Sequence, residues 1–213
     1  MLTVREAFFE VARQLGLTTM FGNPGSTEEP FLKDFPDDFR YVLALQEASV
    51  VAMADAYAQR TGRPALVNVH TAAGMGNAVG NIESAWYNRA PLIITAGQQT
   101  REMLLLEPYL TNVSPELVPQ PFVKWACQPA RPQDVPAALM RAYAAAILPP
   151  AGPVFLSIPM DDCDASAADR GLNLVAPRAV TVDVTLSLPR RALRLGRDRD
   201  APLFHTTSHI GHF

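Results

Sequence analysis

Ser26, Glu47 and His70 are the side chains of this 213-residue sequence whose types and spacing best suit chemistry. Each follows a short apolar run of the kind that forms a buried strand: residues 17–21 before Ser26, 41–45 before Glu47, and 65–69 before His70. In a parallel sheet the carboxyl ends of successive strands share an edge, and ligands bind outside that edge. A serine there supplies a short donor and acceptor, a glutamate an acid–base group, and a histidine a proton carrier that works near neutral pH. Read singly, each has a plainer explanation. Ser26 could cap a helix after a tight turn, Glu47 could face water in a first helical turn, and His70 could be structural. Topology makes the three together harder to dismiss.

Two glycine-containing segments flank these residues. Gly22-Asn23-Pro24-Gly25 is a strong turn signal, and Gly25 would let the backbone approach a ligand closely. It matches neither a dinucleotide-binding nor a Walker A pattern. Gly74-Met75-Gly76-Asn77 follows His70 and reads either as a helix entry packed against a strand or as backbone shaped around a cofactor ring. Glu47 sits among Leu43, Ala44, Leu45, Ala48, Val50 and Val51. A carboxylate in such company is costly unless paired, so these flanks are expected to shelter it from water and poise it for proton exchange.

The elements that must position these residues alternate. Residues 4–15 carry helical spacing, with Gly16 just past the end. Ser26 or Thr27 could cap a next helix with Glu28 and Glu29 in its first turn, where the helix dipole favours acids. Helices are expected over 48–59, 76–88 and 134–146, the second after a Gly-rich turn. Further strands are expected at 92–96 and 154–158, the latter the fifth in the chain. Short apolar strands alternating with helices indicate an α/β fold, a parallel sheet with helices on both faces. Met75, Trp86 and Trp125 read as core or interface, and Asp161-Asp162-Cys163-Asp164 as a solvated loop.

Composition narrows the function classes. Lys plus Arg is 18 and Asp plus Glu is 21, a net charge of −3, which argues against nucleic acid as a main partner. No run of about 18 apolar residues could span a membrane. The N-terminus lacks the pattern of a secretory signal, and Cys127 and Cys163 have no paired spacing, so a cytoplasmic location is expected. From residue 186 onward, five Arg face two Asp and periodicity is lost. Residues 184–213 are therefore read as a poorly ordered or unrelated tail, and residues 1–183 as one domain.

Four segments carry a family resemblance. They are Phe21-Gly22-Asn23-Pro24-Gly25-Ser26, Leu43-Ala44-Leu45-Gln46-Glu47-Ala48, His70-Thr71-Ala72-Ala73-Gly74-Met75-Gly76-Asn77, and Pro91-Leu92-Ile93-Ile94-Thr95-Ala96-Gly97-Gln98-Gln99. Together they resemble the thiamine-diphosphate-dependent decarboxylases, and within them the benzoylformate decarboxylases. Phe31-Leu32-Lys33-Asp34-Phe35-Pro36 and Val123-Lys124-Trp125 strengthen the narrower likeness. The resemblance implies that residues 1–183 form the amino-terminal pyrimidine-binding domain. Glu47 would contact the aminopyrimidine ring and promote the tautomer that deprotonates the thiazolium carbon. Decarboxylation of a 2-keto acid to an aldehyde follows, with the cofactor accepting the electrons. Ser26 would bind the substrate carboxylate and His70 would act in proton transfer. Pro24, Gly25, Glu47, Gly74 and Asn77 would line the cofactor pocket.

The resemblance also implies what the chain lacks. Family members are longer and hold magnesium and the diphosphate on a Gly-Asp-Gly domain, which is not found here. Their sites form between subunits of a dimer or tetramer. Three readings follow: a partial decarboxylase inactive alone, a pyrimidine-domain subunit that pairs with a separate diphosphate-domain chain (including an acetolactate synthase-like enzyme), or a noncatalytic interaction module. The intact Ser26, Glu47 and His70 set disfavours the last.

Overall fold

The computed structural model describes residues 2–168. The expected boundary near residue 183 and the tail beyond it lie outside the described residues. Helix α1 (Val4–Gln14) begins at Thr3, whose hydroxyl accepts from the Glu6 amide while the Glu6 carboxylate accepts from the Thr3 amide. This reciprocal cap satisfies two donors that a helix start leaves unpaired. Gly16 follows at φ 72°, a conformation that glycine adopts without steric cost. Strand β1 (Thr19–Asn23), the single-turn helix α2 (Glu29–Leu32) and strand β2 (Arg40–Leu43) come next.

Helix α3 (Glu47–Thr61) ends at Gly62 in the left-handed conformation. Strand β3 (Ala65–Val69) runs into helix α4 (Thr71–Tyr87), then strand β4 (Leu92–Gln98). A 3-10 turn (Arg101–Leu106), the two-residue strand β5 (Ala126–Cys127), helix α5 (Val135–Ile147), strand β6 (Val154–Pro159) and a last 3-10 turn (Met160–Asp164) complete the described chain.

All six strands are parallel, in the order β2-β1-β3-β4-β6-β5. Successive strand residues point to opposite faces, so the apolar runs feed two cores. On one face Met20, Leu66, Ile93 and Leu156 pack with Phe8 of α1 and Leu139 of α5. On the other, Phe21, Val67, Ile94 and Phe155 pack with Val50 and Val51 of α3 and Met75 and Ile82 of α4. Strands β3, β4 and β6 are buried throughout, which is why they read as mostly apolar runs, interrupted by the buried polar residues Asn68, Thr95, Gln98 and Ser157. The expected α/β sheet with helices on both faces is the architecture found.

Several local expectations are corrected. Helix α4 starts at Thr71, so the Gly-rich segment is its first turns and not a preceding loop. Tertiary packing outweighs the weak helix propensity of glycine there. Neither Ser26 nor Thr27 caps α2, which is only four residues long. The expected fifth strand is the sixth, because β5 is too short to leave a periodic signal.

The acidic run 161–164 is not simply solvated. Asp162 is fully buried and takes two hydrogen bonds from the Arg101 guanidinium, at 2.6 and 2.7 Å. Asp164 accepts from Arg5 at 2.6 Å. Met75 is core as expected, whereas Trp86 and Trp125 are half-buried, beneath Arg89 and Arg141 respectively. Among the described residues no helix is long and apolar enough to cross a membrane.

Candidate functional site

Strand order places the site. From β1 the chain moves outward to β2, then returns to the other side of β1 to form β3. Connections leave β1 and β3 in opposite directions, which makes this a switch point, the place where open α/β sheets form a ligand crevice beyond the carboxyl ends of their strands. Asn23, Pro24 and Gly25 leave the end of β1, while His70 and Thr71 leave the end of β3.

Glu47 is the first residue of α3 and only 6% exposed. Its carboxylate is held from two sides. The Asn23 side-chain amide donates to Oε1 at 3.0 Å, and the Asn77 amide donates to Oε2 at 3.1 Å. The carboxylate lies against Gly74, where a Cβ would stand 3.0 Å from Oε1. The shelter is therefore polar and backbone-lined, which corrects the expected apolar one. Leu43, the last residue of edge strand β2, and Leu45, in the bend just beyond it, are 59% and 89% exposed. Val50 and Val51 point into the core.

His70 occupies the N-cap position of α4 but makes no capping bond with its side chain. Its Nδ1 lies 2.7 Å from Glu28 Oε2 and 3.3 Å from Thr27 Oγ1. The ring rests on Gly25, where a Cβ would come within 2.3 Å of Nδ1. The space that glycine leaves is thus taken by the imidazole, not by a ligand. Thr71 is fully buried at φ 45°, uncommon for a β-branched residue, and its hydroxyl has no hydrogen-bond partner among the described residues. This strained step turns the chain sharply from β3 into α4.

Glu28 is the residue that sequence reasoning missed. Placed by expectation in a helical first turn, it is 1% exposed and faces the sheet edge. Oε1 accepts from the Gly97 amide at 2.7 Å, the Thr27 hydroxyl at 2.8 Å and the Thr71 amide at 3.3 Å. Oε2 accepts from the Gly25 amide at 2.9 Å, beside His70. Gly97 is also needed, since a Cβ there would lie 2.4 Å from Oε1. Nothing in the local pattern separates Glu28 from the exposed Glu29; only the return of β4 beside β3 brings Gly97 under it.

Ser26 is exposed and makes no side-chain hydrogen bond among the described residues. With Pro24, Gly25, Glu29, Leu32 and Lys33 it lines a cavity of about 390 Å³. Gly74 and Asn77, expected to line a cofactor pocket, serve Glu47 directly. Ser26, Glu47 and His70 do share one sheet edge: the seat of Glu47 at Gly74 is in the first turn of the helix that His70 begins.

A parallel α/β domain with an amide-clamped glutamate and a carboxylate-anchored histidine at its switch point is suited to proton transfer on a bound cofactor ring. Residues 2–117 match the thiamine pyrophosphate enzyme, N-terminal TPP binding domain family, and the chain belongs to it. It is 52% identical over 209 residues to benzoylformate decarboxylase of Pseudomonas aeruginosa, covering 95% of this chain and 39% of that protein.

Among solved structures, benzoylformate decarboxylase from Polynucleobacter necessarius aligns at 58% identity and TM-score 0.76, over 80% of this chain and 33% of that one. The 4-hydroxybenzoylformate decarboxylase of Rhodococcus jostii RHA1 aligns at 44% identity and TM-score 0.81, over 90% and 36%. The chain thus spans between one third and two fifths of the length of these relatives.

Proposed function

We propose that this chain supplies the pyrimidine side of a thiamine-diphosphate-dependent decarboxylase that converts a 2-keto acid, with benzoylformate the preferred choice, to its aldehyde. The observation that carries the proposal is the Glu47 carboxylate, buried at the carboxyl edge of the sheet with Asn23 and Asn77 clamping one oxygen each. Each oxygen retains a lone pair for a ring N–H donor, so the residues present fit an aminopyrimidine. When bound, thiamine diphosphate supplies the electron sink for loss of carbon dioxide.

The remaining work falls to this chain's side chains. Glu47 holds or releases a proton at the ring nitrogen. His70, on the same edge, moves a proton to and from the substrate, and exposed Ser26 is free to bind the substrate carboxylate. Among the described residues no cluster of His, Cys, Asp or Glu converges as a metal site. By the family resemblance, the proposal assigns magnesium and the diphosphate to another domain of the assembly. The exposed Leu43 and Leu45 beside Glu47 support closure of the site by another polypeptide surface, from a second copy or a separate chain. Two free cysteines, Cys127 and Cys163, support a reducing cytoplasmic setting.

The test is hydrogen–deuterium exchange at the thiazolium carbon of thiamine diphosphate bound to the active assembly containing this chain. Glu47→Gln is expected to slow that exchange by about 100-fold or more, the scale of general acid–base catalysis. An unchanged rate removes Glu47 from the mechanism and the proposal with it.

A further inference from the structure

We propose that Glu28 is a positioning residue that locks His70 in a single tautomer, with the proton on Nδ1 and the Nε2 lone pair kept open toward the crevice. The inference deepens the proposed decarboxylase reading and rests on it for the use to which Nε2 is put. The lock itself follows from the hydrogen bonds.

Glu28 meets donors on both oxygens. Oε1 faces the amides of Gly97 and Thr71, which can only donate, and the Thr27 hydroxyl. Oε2 faces the Gly25 amide, which also can only donate, and His70 Nδ1 at 2.7 Å. An ionised carboxylate accepts at both oxygens, which suits these donors, and it requires Nδ1 to carry the hydrogen. The Thr27 hydroxyl donates its one proton to Oε1, so at 3.3 Å it has none left for Nδ1.

A neutral imidazole has one N–H, so Nε2 is then the acceptor. When Nε2 takes a proton from a reacting group, the imidazolium forms against a buried carboxylate already aligned with it. When Nε2 gives the proton back, the starting tautomer returns. Nothing else is consumed.

Geometry also says why the carboxylate cannot wander. Gly97 and Gly25 leave room for Glu28 and for the imidazole, and a Cβ at either would overlap them. The turn at Thr71 aims the histidine back across β3 toward β1. The anchor therefore ties together the loop after β1, the junction of β3 with α4 and the carboxyl end of β4. Glu28 does not itself touch the reacting atoms.

The charge-matched amide gives a sharp test. In Glu28→Gln the side-chain oxygen is expected on the Oε1 side, where two backbone amides demand an acceptor. The NH2 group then faces His70, which can satisfy it only by accepting at Nδ1 and moving its hydrogen to Nε2. Nitrogen-15 NMR of histidine-labelled chain, at a pH where the imidazole is neutral, reads the tautomer directly. His70 is one of four histidines, and its signals are assigned by their loss in His70→Ala.

The parent is expected to favour Nδ1–H by about tenfold or more, as a charge-assisted hydrogen bond supports. Glu28→Gln is expected to reverse the preference. A parent with Nε2–H dominant or an even mixture overturns the proposal, as does a folded Glu28→Gln chain that keeps Nδ1–H. If that variant does not fold, the parent spectrum alone decides. Neither readout needs thiamine diphosphate, so failure of the lock is distinguishable from failure of the decarboxylase reading.

Discussion

The imidazole of His70 sits on the backbone of Gly25, so closely that a Cβ there would fall 2.3 Å from Nδ1 and 2.4 Å from Cε1. A residue of β1's trailing loop thereby sets the position of a side chain that follows β3. Gly25→Ala must move one or the other. We expect a folded protein whose decarboxylation, in the active assembly, falls by about 100-fold as His70 leaves its station. Steady-state rates together with circular dichroism check this; full activity would show that the ring can work elsewhere.

Asn77 gives Glu47 one of its two side-chain donors. Asn77→Ala leaves Oε2 short of a partner in a site that is nearly closed to water, a loss of about 1–3 kcal/mol. Urea unfolding should record it as a lower midpoint with an unchanged slope. An Asn77→Ala chain as stable as the parent would mean that solvent replaces the amide.

Arg101 joins the 3-10 turn after β4 to the one after β6 through buried Asp162. Burial pushes the Asp162 carboxyl up, and the Arg101 guanidinium opposes that shift. Arg101→Leu strands the carboxylate and is expected to cost about 3–5 kcal/mol. The double variant with Asp162→Leu should recover much of the loss, since it also removes the stranded charge. Thermal melts of the two variants side by side make the comparison, and equal destabilisation would assign the cost to packing alone.

Burial pushes the Cys163 thiol up to about 12 from a usual value of 9.0. The folded state holds this proton more tightly than the unfolded chain does. Its contribution to stability is therefore complete below pH 9 and is lost as pH climbs toward 12. Melting temperature should fall over that interval, less steeply in Cys163→Ala. Native Cys163 should also resist alkylation at pH 8, because the thiolate is the reactive form. Rapid labelling there would show the residue to be open to solvent.

Most of the fold was legible in the sequence because its signals are local. Apolar runs at 65–69, 92–96 and 154–158 mark strands covered on both sides, and Gly16 and Gly62 mark helix ends. The start of α4 was misplaced because glycines at 74, 76 and 80 lower helix propensity while packing favours the helix. Ser26, Glu47 and His70 were legible as residues because each follows a strand.

The sequence by itself determined the alternating α/β pattern and the sheet edge on which the candidate residues Ser26, Glu47 and His70 fall, since each of these depends on neighbours within a few residues. Only the tertiary structure decided what holds those side chains. Glu28 reads like any first-turn acid, yet its partners lie at Gly97, 69 residues onward, and at His70, 42 onward. Glu47 was expected to be sheltered by Leu43 and Leu45, but their exposure leaves that task to Asn23, Gly74 and Asn77. A hydrogen-bond partner is set by distance in space, and spacing along the chain does not encode it until the strands have taken their places.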